Sequence, residues 1–353
     1  MDPMASRSSS GGDQQPDLVV ALLESIPALR PLAEAGAKPA HLEHLVRVWL
    51  RAGSLREGAR RQRLPFPAAV QELLPGLEDE LAEVVRPVEA SAAEDGSRRE
   101  LLELGDGRRV ECVQLPREAL CISSQVGCAV GCGFCATGTL GLTRNLEVVE
   151  LLAQVVHARR RGAVRKVVFM GMGEPAHNLR AVLAAIRLLG LLGGIGHKEL
   201  VFSTVGEPAV FEQLAACEVR PSLALSLHSS DAGRRAELLP RAPRIEPREL
   251  VEAALAYSEF TGQPLRLQWT LLRGVNDGDD ELARLMEWLP GRRVVVDFIE
   301  YNPVEAFDHE RTPWERTREL THALHAAGIQ AKLRSSAGQD ARGGCGQLSA
   351  GRS

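Results

Sequence analysis

The residues in this chain best suited to chemistry are cysteines. Cys128, Cys132 and Cys135 form C-x3-C-x2-C in the segment CAVGCGFC, directly after a β-prone run, Ala119–Gln125. Three thiolates grouped on a glycine-containing loop can converge on one metal centre, and thiolates suit zinc and iron–sulfur sites. Structural zinc usually takes four closed ligands, commonly as two C-x2-C pairs, and no such second pair is present. A four-iron cluster on three cysteines keeps one iron open for a ligand, which fits a reaction centre better than a structural clip. The bland alternative is three small buried apolar residues. It is weakened by the oxidation liability of thiols so closely grouped. Two further cysteines stand out by context. Cys121 lies on the same candidate strand, and Cys345 sits in the glycine-flanked segment GGCGQL, where backbone freedom lets a thiol reach into a cleft. A thiol on a flexible segment and a second thiol beside a cluster could work as a carrier and its resolving partner, with incidental cysteines as the alternative. Cys112 and Cys217 have no comparable context.

These side chains need elements to position them. Candidate strands are Ala119–Gln125, Lys166–Met170, Leu200–Ser203, Ser222–Leu227, Leu265–Leu272 and Val294–Ile299. Between them lie amphipathic stretches at Glu147–Arg161, Leu179–Leu191, Ala209–Ala216, Pro247–Thr261 and Asp279–Leu289. A last helix, Trp314–Ala327, precedes a β-prone Ile329–Leu333. Strands alternating with helices of this length imply βαβ units, and hence an α/β fold with a parallel sheet and right-handed crossovers. Six or so units could curl into a partial barrel or lie open, and either form binds ligands at the C-terminal strand ends. Upstream, Asp17 to about Glu94 reads as helical, with Leu18, Ala21, Leu22 and Ile26 and then Leu42, Leu45, Val46 and Leu50 at helical spacing. Ala90–Arg98 reads as a linker or turn, and residues 1–16, rich in Ser, Gly and Gln, as a disordered tail.

Composition bounds the reading. The 353 residues carry 42 Lys+Arg against 46 Asp+Glu, a formal charge of −4, with 44% hydrophobic and 25% charged residues, as in an ordinary globular protein. No run of 18 apolar residues suggests a membrane span, and the N-terminus lacks the apolar core of a secretory signal. Seven cysteines is an odd number that discourages a disulfide framework. The slight acidity argues weakly against nucleic-acid binding, although phosphate contacts need only a local patch. Basic residues do cluster at Arg159, Arg160, Arg161, Arg165 and Lys166, and again at Arg234, Arg235, Arg241 and Arg244.

At the cysteine motif and six further segments the sequence resembles the radical S-adenosylmethionine (SAM) RNA methyltransferases that modify adenine at a ring carbon, the RlmN and Cfr type. The resemblance rests on CISSQVGCAVGCGFCATG with RNL (Arg144–Leu146), followed in order by FMGMGEP, FSTVG, SLH, GVND, YNP and CGQL. Departures at TGTLGLTRNL, at Ala176 and at Gly343–Gly344 point to a divergent branch. The resemblance implies a partial (β/α)6 barrel of radical-SAM type with a small N-terminal helical accessory domain that binds RNA. The domains would then be a helical 17–94, a catalytic 95–348 and a short tail, 349–353.

It further implies a [4Fe-4S] cluster on Cys128, Cys132 and Cys135 whose open iron chelates SAM, with two SAM per turnover. Cys345 would be the methyl carrier, and Cys121 the resolving thiol that releases the product through a transient disulfide. Glu111 would be the acceptor of the ring proton. Gly173, Glu174, Ser203, Ser226, Leu227, His228 and Asn276 would be SAM contacts. The substrate would be adenine in 23S rRNA, with C2 favoured over C8 and tRNA as a second substrate. A flavodoxin or ferredoxin would donate electrons to a monomeric enzyme in the reducing cytoplasm. Two alternatives stay open: a radical SAM enzyme acting on another substrate, and a non-catalytic iron–sulfur protein that binds RNA or senses redox state.

Overall fold

The computed structural model describes residues 17–61, 65–334 and 336–351, so the tail expected over residues 1–16 lies outside the described residues. Twelve strands are described: β1 (Val85–Ala92), β2 (Arg98–Leu104), β3 (Arg109–Leu115), β4 (Ala119–Ile122), β5 (Gln125–Gly127), β6 (Leu142–Asn145), β7 (Lys166–Phe169), β8 (Leu200–Thr204), β9 (Ser222–Ser226), β10 (Leu265–Leu271), β11 (Val294–Glu300) and β12 (Gln330–Arg334). Ten of them form one sheet in the order β1-β2-β3-β4-β7-β8-β9-β10-β11-β12, and β5 and β6 form a separate hairpin. From β4 through β7 to β12 every neighbouring pair is parallel. Six helices make the crossovers: Val148–Arg159, Leu179–Leu191, Pro208–Ala216, Pro247–Thr261, Asp279–Trp288 and Trp314–Ala326. That is the expected α/β pattern of six units, closed by a seventh strand.

Period-two alternation gives the parallel strands two apolar faces. Val167, Phe169, Leu200, Phe202, Leu223 and Leu225 join the large core beneath the helices. The intervening Val168, Val201 and Ala224 meet on the opposite face, where Met170 packs against them.

The structure departs from the helical reading of residues 17–94. Helices in that region end with Ala68–Glu83, and Val85–Ala92 is a strand. β1, β2 and β3 form an antiparallel meander that joins β4. β1 gave no strand signal because it is an edge strand with one buried residue, Val85, and its pairing with β2 shifts register after Pro87, a residue tolerated at edges and bulges. The expected linker at Ala90–Arg98 is the end of β1 and a hairpin turn, with Gly96 at φ +83°. The N-terminal helices do not bury a core of their own. Leu22, Leu45, Trp49 and Leu77 belong to the same hydrophobic cluster as the barrel helices. Arg159 Nη1 also reaches across to donate to Leu50 O at 2.7 Å.

Candidate active site

All seven parallel strands contribute to one cavity of about 730 Å3, with Cys121 from β4 and Leu333 and Arg334 from β12 among its lining residues. Strands from opposite ends of the parallel stretch share a cavity only if the sheet curls, which makes it a partial barrel. Cys128, Cys132, Cys135, Gly173, Glu174, Ser203, Ser226, His228, Cys121 and Cys345 all line this cavity. Leu227, Asn276 and Glu111 are buried but are not among the lining residues.

The cysteine loop is fixed by close backbone approaches. Gly127 has φ +79°, and a Cβ there would stand 1.8 Å from Gly141 O, while Cys128 N donates to that same oxygen at 2.9 Å. Only glycine permits this approach. Gly133 N donates to Leu238 O at 2.9 Å, tying the loop to the helix Ala232–Leu238. Val130 and Phe134 pack with Val205, Leu238, Leu239 and Tyr301 in an apolar shell that includes Cys128.

Burial raises the pKa of all three cluster thiols, with Cys128 pushed up to about 12. One neighbour favours negative charge at this place, against burial and the nearby Glu174. Arg235 is 3% exposed, its Nη2 donates to Val205 O at 2.5 Å, its buried Nε has no hydrogen-bond partner among the described residues, and Cys132 lies within reach of its charge. A buried guanidinium calls for a counter-charge, and three thiolates on an iron–sulfur cluster supply one. Among the described residues no group of three His, Cys, Asp or Glu is set to hold a single metal ion. A cluster that binds each thiolate through a different iron accepts a wider spread, so the residues fit a [4Fe-4S] cluster better than zinc.

Beside the loop, Gly173 takes φ +102° and Glu174 follows it into the site. The Glu174 carboxylate accepts from Ala176 N at 3.0 Å and Val205 N at 2.9 Å, while burial raises its pKa. Ser203 and Ser226 both donate to Gln268 Oε1, at 2.9 and 3.2 Å. Gln268 Nε2 meets Met170 Sδ at 3.1 Å, and Gln268 lines the cavity. Sequence reasoning did not single out Gln268, and it placed Arg235 only in a cluster of basic residues. The signal for Gln268 was one uncharged polar residue inside the apolar strand LRLQWTL, since a buried polar group is the informative kind.

His228 has φ +59°, and its ring packs tilted on Phe134 with centroids 4.7 Å apart. Its Nδ1 accepts from Thr270 N at 3.0 Å, which leaves Nε2 as the protonated nitrogen of a neutral ring. Burial first, and the Arg235 charge second, lower its pKa to about 3. Asn276 holds this loop from behind: its Nδ2 donates to His228 O at 2.7 Å and Thr270 O at 2.8 Å, and its Oδ1 accepts from Leu272 N at 2.8 Å. With its amide committed, Asn276 positions the His228 turn.

The C-terminal segment fills the gap between β12 and the antiparallel meander. On the meander side, Gly338 N donates to Asp95 Oδ2 at 3.0 Å and Glu94 N to Asp340 Oδ2 at 2.9 Å. On the barrel side, Asn302 Nδ2 donates to Cys345 O at 3.0 Å, Ala136 N to Gly346 O at 2.7 Å, and Thr137 Oγ1 to Leu348 O at 2.7 Å. Half-buried Cys345 thus lies beside the cluster loop, and it couples electrostatically to both Cys135 and Cys121. Burial and the neighbouring Cys345 push Cys121 up to about 12.

Glu111 lies outside the lining, covered by the C-terminal segment. It is 1% exposed, its Oε1 pairs with Arg99 at 2.6 Å, and its Oε2 accepts from Ser349 N at 2.7 Å and Ala350 N at 3.2 Å. Residues 349 and 350, expected to be tail, are therefore docked.

The basic clusters are largely consumed by structure. Arg159 caps the carbonyls of Leu50, Gly193 and Val164, Arg161 pairs with Glu100, and Arg165 with Glu118. Arg234 pairs with Asp280, and Arg241 bonds Ala129 O within the cluster loop.

Comparison with known proteins agrees with this geometry. Residues 122–286 match the radical SAM superfamily. A probable RNA methyltransferase of Bordetella avium is 54% identical over 321 residues, covering 90% of this chain and 91% of that protein. A probable RNA methyltransferase of Aromatoleum aromaticum is 54% identical over 90% of both chains. A crystal structure of a radical SAM methyltransferase from Sphaerobacter thermophilus superposes with a TM-score of 0.79 at 33% identity, covering 94% of this chain and 98% of that one. With the three-cysteine loop at the mouth of a curled parallel sheet, these similarities establish that the chain belongs to the radical SAM superfamily, within the family of these methyltransferases.

Proposed function

We propose that the chain methylates a ring carbon of adenine in RNA, C2 in preference to C8, with 23S rRNA as substrate and tRNA as a second. The RNA assignment draws on the names of its relatives. The carbon assignment draws on the thiol arrangement, because C2 and C8 are not nucleophilic and an ordinary displacement on a sulfonium methyl has no attacking lone pair. The observation that carries the reading is Cys345 set in one cavity between Cys121 and the cluster loop.

When bound on Cys128, Cys132 and Cys135, a [4Fe-4S] cluster with SAM supplies a methyl group and, from a second SAM, a hydrogen-abstracting radical. Cys345 takes the methyl group on its sulfur and holds it over the cavity floor. Gly173 would allow close approach of the cofactor, and the Glu174 carboxylate would accept from its ammonium group. His228 offers a neutral Nε2–H donor, Gln268 orients Ser203 and Ser226, and Leu227 and Asn276 shape the wall behind them. The target adenine leaves its stack to enter the cavity. Once the carbon carried on the Cys345 sulfur is bonded to the ring carbon and the ring proton has passed to a base, the Cys121 thiolate would attack the Cys345 sulfur. The sulfur–carbon bond breaks and its electron pair goes to the carbon, which takes a proton and leaves as the methyl group of the adenine. A Cys121–Cys345 disulfide remains for an external reductant to reopen. An external reductant of the flavodoxin or ferredoxin class supplies the electrons. Glu111, assigned by resemblance to take the ring proton, can do so only when Ser349 and Ala350 lift away. The N-terminal helical layer serves as the RNA-binding accessory part, and the enzyme works as a monomer in the reducing cytoplasm.

The test is a pair of substitutions on anaerobically reconstituted enzyme, followed by mass spectrometry of the RNA. Cys345→Ala abolishes methyl transfer, and Cys121→Ala traps a covalent protein–RNA adduct. Turnover by Cys121→Ala without an adduct would sink the carrier and resolver roles.

A further inference from the structure

The Glu111 carboxylate has an unusual set of partners for a base. It sits on β3, on the sheet face of Cys121, since Val113 two residues on pairs with Cys121, yet it is not among the cavity-lining residues because the C-terminal amides cover it. One oxygen is held by Arg99, whose side chain is 10% exposed. The other accepts from two successive backbone amides, Ser349 and Ala350. Two successive N–H groups aimed at one anion form a small nest. The chain bends to make it: Ala350 takes φ +56°, a left-handed conformation that non-glycine residues seldom adopt, followed by Gly351 at φ +74°. Backbone strain of this kind persists only where the surroundings enforce it.

The bend lies five residues beyond Cys345, with Leu348 between them tied to Thr137. Other charged groups that hold the segment act before Cys345: Asp95 at Gly338 N, Asp340 at Glu94 N, and Glu300 and Arg311 at Gln339. Beyond Cys345 the charged partner is Glu111, itself 1% exposed, and hydrogen bonds to a charged group are the strong kind. Freeing the segment would also leave a buried carboxylate short of donors, which is costly.

We infer that Glu111, braced by Arg99, is a positioning residue for the C-terminal segment, a latch that keeps Cys345 seated beside Cys121 and the cluster loop. The inference rests on Cys345 as the carrier for its meaning in turnover, but it can be tested without turnover. One consequence is exclusive use of the carboxylate. While it grips the tail amides it has no lone pair directed at a substrate, so seating the carrier and accepting a proton cannot coincide.

The experiment follows the rate at which iodoacetamide alkylates Cys345 in the full chain carrying its cluster under anaerobic conditions. Each cysteine is read from its own peptide by mass spectrometry. Two variants break the latch from opposite sides: Glu111→Gln removes the charge, and a stop after Leu348 removes the amides. Both should speed alkylation of Cys345 about tenfold, the factor expected for loss of one charge-assisted hydrogen bond. Cys217, buried on the far side at the end of Pro208–Ala216, should keep its wild-type rate. The inference is overturned if Cys345 reacts at the wild-type rate in either variant. It is equally overturned if Cys217 accelerates in step, since that would show general loosening. Should Glu111→Gln fail to fold, the shortened chain decides alone. Because alkylation needs no methyl transfer, methylation surviving in Cys345→Ala would remove the carrier role while leaving the latch standing.

Discussion

His228 shows how far a single residue's environment governs its state. Its ring is buried against Phe134, accepts from Thr270 N, and lies near the buried Arg235, so the neutral form is enforced. The sign of the consequence follows from linkage. The pKa falls from 6.5 in the unfolded chain to about 3 in the folded one, so between those values the unfolded state binds the extra proton. This contribution to stability is fully present above about pH 6.5 and is lost as pH falls toward 3. Urea denaturation of wild type and His228→Gln across that window should show a shallower acid destabilisation in the variant. Parallel curves would exclude a buried neutral imidazole. At this scale the sequence was legible for the cysteines, whose spacing is itself the signal. Glu111 was another matter: its type and place were readable, but its engagement by amides more than 200 positions away was not, because no local pattern encodes it.

The elements that matter most are the cluster loop and the two parts that hold it, the β5–β6 hairpin and the helix Ala232–Leu238. Gly127 is where the hairpin meets the loop, and no side chain fits between it and Gly141 O. Gly127→Ala would both strain a positive φ and push Cys128 off its backbone anchor. Iron content after anaerobic reconstitution should therefore fall severalfold, with the circular dichroism of the sheet retained. Full iron loading would mean that the loop tolerates displacement. The crossover helices and parallel strands were legible because each buries a strong apolar pattern at period 3.6 or 2. β1 was not, since Arg86, Pro87, Val88, Glu89 and Ala90 are all exposed and an edge strand with no buried face has no alternation to read. Nor could the fate of the basic clusters be foreseen, because a run of arginines looks the same whether it meets phosphate or, like Arg159, caps carbonyls of its own chain.

Across the whole molecule one hydrophobic cluster runs from the N-terminal helices into the barrel layer, so stability is shared along the chain. No helix among the described residues is long and apolar enough to cross a membrane. Removing the iron should be felt globally, because a ligand held by the folded state alone stabilises it by mass action. The buried Arg235 would also lose its counter-charge. Stripping the cluster with a chelator should lower the melting temperature by about 3–4 °C, as about 2–3 kcal/mol would in a chain of this size. An unchanged melting curve would argue that the three thiols do not hold a folding-linked group.

The docked C-terminal segment also bears on how the molecule is made. The Ser349–Glu111 bond joins residues 238 apart in sequence, and the Glu94–Asp340 bond residues 246 apart. Contacts at such separation must overcome the entropy of closing very long loops, so they form after the local βα units have condensed. Folding of the barrel and completion of its reactive wall are therefore separate events in time. A newly made chain passes through an interval in which it has its sheet and helices but no seated Cys345.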